Sequence, residues 1–186
     1  MTEKELSIAL VAQLDLALTN IGLTGVDIVA SYQPTTQGEE SDDAIYFFKV
    51  SDVKEGWQTR SIGSPLTPKY EEVQNIATTY QFMARARQIP KDSPQYLTRR
   101  TASDLLNYAS MALQSIATVR ALNNLGIGVR RVGEIRNPYF KNHSEQFEAS
   151  PSFDFTVSHK TSIIYTTAVI ENIDGTTVLV GDRNVD

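Results

Sequence analysis

Phe153, Phe155 and Val157 alternate strictly with Asp154, Thr156 and Ser158. Successive side chains of a strand point to opposite sides, so this spacing puts three apolar residues on one face and three polar residues on the other. Such a strand has no stability alone. It needs sheet neighbours and a layer over its apolar face, and the remaining sequence must supply both.

Two segments have the helical spacing to form that layer. Between residues 3 and 21, Leu6, Leu10, Leu14, Ala17 and Ile21 recur at intervals of three and four, with Val11 and Leu18 widening the stripe. Thr2 and Glu5 fit a capping box before it, and Gly22 suits a left-handed end. The 102–124 segment reads as a single helix carrying Ala102, Leu105, Ala109, Ala112, Ile116 and Val119 on one stripe, beside Leu106 and Leu113. Thr101 or Ser103 can cap it, Asp104 favours its first turn, and Asn123, Asn124 and Gly126 stop it.

The other segments read mainly as strands and loops. Val26 to Tyr32 alternates, and Ala44 to Val50 is an apolar run suited to burial on both faces. Between them, residues 33–43 form a polar loop ending in Glu39, Glu40, Asp42 and Asp43; it lacks the glycine placement of a calcium loop and reads as a solvated tip. Ser51 to Lys69 shows no period, contains Gly56, Gly63, Pro65 and Pro68, and reads as a long loop. Its Trp57 suits either a partner contact or a plug for the protein's own core.

Tyr70 to Gln88 fits both periods; a strand from about Val73 is favoured, because Thr78 and Thr79 are β-branched and Gln81, Met83, Arg85 and Arg87 occupy one parity. Residues 91–100 form a turn-rich link. Ile127, Val129, Val132 and Ile135 slip by one position, which suggests a bulged strand. Ile163 to Ile173 reads as β, with a hairpin at Asp174-Gly175 leading to Thr177–Val180. The expected fold is α+β: one domain over residues 1–186, a mostly antiparallel sheet packed by two amphipathic helices, with long loops.

Chemistry is sparse. The chain has no cysteine and two histidines, His143 and His159, in none of the usual metal or nucleophile spacings; no G-x-S-x-G, P-loop or G-x-G-x-x-G is present. An enzyme is not expected, and no cofactor or metal is implied. A net charge of −5 argues against a non-specific grip on nucleic acid. No run of about 18 apolar residues suggests a membrane span, and the N-terminus has no signal-peptide pattern.

The helix containing Leu105-Leu106-Asn107-Tyr108, followed by Leu125-Gly126-Ile127-Gly128-Val129, then Val132-Gly133-Glu134-Ile135-Arg136-Asn137-Pro138-Tyr139 and Phe153-Asp154-Phe155-Thr156-Val157, resembles the tail-terminator proteins of long-tailed bacteriophages. Tyr80-Gln81-Phe82 looks like that family's central strand. The resemblance implies a virion protein forming a ring, commonly hexameric, on the head-proximal end of the tail tube. It would stop tube polymerisation and meet the neck or connector, with DNA only passing through its channel.

Trp57, Tyr139, Phe140 and Phe147 are then candidate anchors of subunit or partner interfaces, on the 51–69 and 137–151 loops. Arg85, Arg87, Arg130 and Arg131 suit either a patch that pairs with the acidic loop of a neighbouring copy or separate solvated charges. Tail-tube and head–tail joining proteins share this architecture and remain alternatives. A small binding domain, or an enzyme without a recognisable motif, is a further one.

Overall fold

The structure, a computed structural model, describes residues 1–30, 43–62, 69–86, 92–94, 98–141, 147–149 and 151–166, with side chains except at 62, 69, 139–141, 147–149 and 166. The expected acidic tip at residues 39, 40 and 42 and the Asp174-Gly175 hairpin lie outside the described residues.

Three helices and one large sheet make up most of it. Helix α1 (Glu3–Asn20) starts in the expected capping box: Glu5 donates its backbone N–H to Thr2 Oγ1, and the Glu5 carboxylate accepts from Thr2 N–H at 2.8 Å. It ends before Gly22, whose φ of +79° is left-handed. Strand β1 (Val26–Ala30) runs parallel to β2 (Asp43–Ile62). Strand β3 (Lys69–Arg85) pairs antiparallel with β2 and with β8 (Ser152–Thr166), and so occupies the middle of the sheet.

The segment 102–124 is two helices instead of one, α2 (Ala102–Leu113) and α3 (Ile116–Asn124). Ser115 breaks it by capping α3, its hydroxyl accepting from Thr118 N–H at 3.2 Å. Gln114 confirms the break in space, since its side-chain oxygen accepts the backbone N–H of Val132 at 3.2 Å. Thr101 caps α2 in a second capping box with Asp104.

The expected bulged strand over 126–137 is also divided. Strands β4 (Gly128–Val129) and β5 (Ile135–Arg136) both pair with β8, and six steps of chain between Val129 and Ile135 face four on β8, so 131–134 leaves the ladder. Strands β6 (Tyr139–Lys141) and β7 (Phe147–Ala149) pair antiparallel as a small separate sheet.

One face of the sheet carries the core. Phe47, Phe82 and Phe153 sit in register on three neighbouring strands, their ring centroids 5.5 and 5.2 Å apart. Phe155 meets Phe82 edge-on at 6.0 Å. Leu6, Leu10, Leu14 and Leu18 of α1, Leu105, Leu106 and Leu113 of α2, and Leu122 of α3 cover this row. The alternating segment of β8 therefore behaves as expected: Phe153, Phe155 and Val157 are fully buried.

Candidate functional site

The main departure from sequence expectation lies in residues 51–62. They are not a loop, because β2 continues unbroken to Ile62 and pairs with β3 down to Ile62↔Tyr70. The third strand extends equally far, with Lys69↔Thr166. Thus β2, β3 and β8 run past the helical layer as a three-stranded arm.

A polar junction marks where the covered core gives way to this arm. Lys49, on the core-facing parity of β2, pairs with Glu3 at the start of α1 and with Asp52 at 3.1 Å. Thr78 donates its hydroxyl to Asp52 Oδ1 at 2.7 Å. Its only proton is then committed, so the 2.9 Å contact to His159 must be a bond from the imidazole Nε2–H to the Thr78 oxygen. His159 is consequently the Nε2-protonated tautomer, and its buried Nδ1 has no hydrogen-bond partner among the described residues. The N-terminal ammonium donates to Lys160 O at 2.9 Å, tying the chain start to the same junction.

Electrostatics follow from that placement. Burial, then the nearby N-terminal ammonium, pushes the His159 pKa below its usual value and keeps the ring neutral at pH 7. Desolvation raises the Asp52 carboxyl, but bonds from Thr78 and Lys49 outweigh it and hold the pKa below the usual range. The Glu3 bond outweighs desolvation at Lys49 and raises its pKa. A carboxylate, a hydroxyl and an imidazole in line resemble a nucleophile site in composition only. Thr78 is 2% exposed, so no substrate reaches its oxygen. Among the described residues, no group of three or more histidine and acidic side chains could hold a metal.

Beyond the junction the arm is open, and several exposed apolar side chains stand among its many polar ones. Ile163, Ile164 and Tyr165 are consecutive exposed residues of β8, so both faces of the arm present apolar surface. Val50 and Val53 of β2 are exposed too. Trp57 is 97% exposed, which excludes its plugging the protein's own core. A bulge places it there: between Glu55↔Asn75 and Thr59↔Val73, four steps of β2 face two of β3. Gly56 takes a φ of +71°, and the Gln74 amide underneath donates to the carbonyls of Glu55 and Gly56 at 3.1 and 3.3 Å. The bulge is thus hydrogen-bonded from within while the indole points away.

The candidate arginines are not gathered into one uncommitted patch. Arg130 pairs with Glu55 of the arm and Arg136 with Asp154 at 2.6 Å. Arg85 is exposed at the far end of β3, opposite Ala44, and Arg131 is exposed beside Arg130. Arg87 lies outside the described residues. Tyr139, Phe140 and Phe147 fall in the β6–β7 pair, and their side chains lie outside the described residues.

Sequence reasoning missed Ile163, Ile164 and Tyr165 as a surface. An available signal was that apolar residues occupy both parities there, directly after a strand with only one apolar parity.

A second surface lies on the helix-covered side of the junction, where α1 and β1 leave an open groove of about 510 Å³. No helix among the described residues is long and apolar enough to cross a membrane.

Comparison with known proteins gives two findings. The family model described as E217 gateway protein gp29 matches residues 5–169. In fold, the chain is similar to the sheath/tube terminator of PVC, an extracellular contractile injection system seen by cryo-EM in its extended state. That match has 14% sequence identity and a TM-score of 0.53, and covers 97% of this chain and 66% of the other, just under two thirds of its length. No curated protein matches.

Proposed function

The chain belongs to the E217 gateway protein gp29 family, and from that premise we propose that it is a structural protein of a phage tail, terminating the tail tube. In this reading it is one domain over residues 1–186. Copies of it form a closed ring at the head-proximal end of the tube, stop polymerisation and offer a surface to the neck or connector. DNA only passes through the channel. The protein is a virion component assembled in the host cytoplasm, and its work is done by shape and association, with no substrate transformed.

The observation that carries this reading is the arm. Three strands extend beyond the helices with apolar side chains on both faces and an indole in solvent, a surface that marks association. The fold shared with a sheath/tube terminator and the terminator resemblance of residues 101–174 support the same assignment. Trp57 and the exposed residues of β8 are the proposed contacts, while Arg130 pairs with Glu55 of the arm.

Mixing the purified chain with polymerising tube subunits tests the reading by electron microscopy. Rings with a central hole and tubes of limited length, each closed by one ring, are the expected result. Tubes that grow without limit in its presence would refute termination. Long tubes assembled from the chain alone would identify a tube subunit instead.

A further inference from the structure

The arm and the α1–β1 groove carry opposite charges beside apolar surface. Beside the indole of Trp57 stand Lys54, Gln58 and Arg60. Lys54 has no ion-pair partner among the described residues, and Arg60 pairs with Glu72 at 2.8 Å with most of its side chain still exposed. The groove is lined by Ile8, Val11, Ala12, Val26, Ile28 and Phe47. Asp15 and Asp27 also line it, both exposed and without an ion-pair partner among the described residues. One surface is an aromatic knob between cations; the other is an apolar hollow between carboxylates.

The knob cannot reach its own hollow. Phe47 and Trp57 lie ten residues apart on the same strand, roughly 30 Å at about 3.3 Å per residue. Even with the register shifts shortening that span, the strand cannot fold back on itself while it remains paired with β3. A second copy can bring the two surfaces together. Because they occupy different places on one chain, the contact is head-to-tail, the type that generates a ring when the rotation per copy closes.

We infer that Trp57 of one copy seats in the α1–β1 groove of the next, where Lys54 and Arg60 meet Asp15 and Asp27, and that this contact builds the ring. The inference rests on the ring reading above and assigns it a specific contact. Burial of one rigid aromatic in an apolar hollow supplies the anchor, and the flanking charges set direction and register.

The chain contains no cysteine, so introduced thiols report one contact at a time. Gln58→Cys and Ala12→Cys occupy exposed positions on the knob and in the groove, and Ile8→Cys is a second exposed groove reporter should Ala12→Cys fail to fold. Mixed and oxidised, the Gln58→Cys and Ala12→Cys variants should form a one-to-one disulfide dimer and nothing larger, while the doubly substituted chain forms a ladder. Adding Trp57→Ala to the Gln58→Cys chain should lower the yield roughly tenfold or more. Lys54→Glu should lower it several-fold, with recovery when Asp15→Lys and Asp27→Lys are placed on the groove partner. If rings are visible by microscopy but neither groove reporter cross-links to Gln58→Cys, or if Gln58→Cys links only to itself, this contact is wrong and the ring stands. If neither rings nor cross-links form, alone or on tube ends, the ring reading fails with it.

Discussion

Replacing Thr78 with valine removes the central hydroxyl of the junction while keeping the side chain's shape. In the native chain that hydroxyl bonds Asp52 at 2.7 Å and receives the His159 Nε2–H at 2.9 Å. The two partners respond differently to its loss. The Asp52 side chain remains 44% exposed and regains a partner from water. His159 is 7% exposed with Nδ1 already unpaired, so Thr78→Val leaves both ring nitrogens without a bond. An unsatisfied buried donor costs about 1–3 kcal/mol.

The expected loss is therefore about 2 kcal/mol, a drop in Tm of roughly 4–8 °C for a chain of this size. Adding His159→Leu removes the stranded imidazole, and the Thr78→Val/His159→Leu chain should recover to within about 1 kcal/mol of wild type. Urea denaturation at pH 7.5 of all four chains gives the cycle. A Thr78→Val chain as stable as wild type, or a double variant whose loss is the sum of the two single losses, would refute this account of the junction.

The same histidine gives a pH dependence. Its folded pKa lies below the usual value of 6.5, so as pH falls below about 6.5 the unfolded chain takes up a proton before the folded one does. Stability should decline with falling pH in that window, and His159→Leu should flatten the slope when midpoints are compared across pH 7.5 to 5.5. Phe82→Ala removes the middle ring of the stacked row and should cost about 3–5 kcal/mol, measured by chemical denaturation. Thr101→Ala deletes the α2 cap and should cost about 1 kcal/mol in the same measurement. Trp57→Ala should leave monomer stability within about 0.5 kcal/mol while weakening assembly, read by denaturation and light scattering on one preparation.

Much of the core was legible because its signals are local. The leucine spacing and capping box of α1, the parity of residues 153–157 and the strand character of residues 73–85 each follow from neighbours a few positions away. The break at Ser115 was less visible. The apolar stripe runs through it, and only the hydroxyl bond to Thr118 and the Gln114 bond to Val132 show that one helix has become two. The candidate Arg130, and Arg136 near it, have ion-pair partners that no spacing rule could supply.

Sequence alone determined the α+β class, the principal helical layer, the apolar face of β8 and the resemblance to tail terminators, because periodicity records which side of an element faces a core. Tertiary structure decided that Ser51–Ile62 is a strand and that Trp57 stands in solvent. Those residues have no period of their own and are held by distant pairings, Glu55 with Asn75 and Asn75 with Lys160. Where a sheet outruns its covering helices, both faces meet water or another copy. Single-face alternation then disappears, and strand identity depends on hydrogen bonds between segments far apart in the chain.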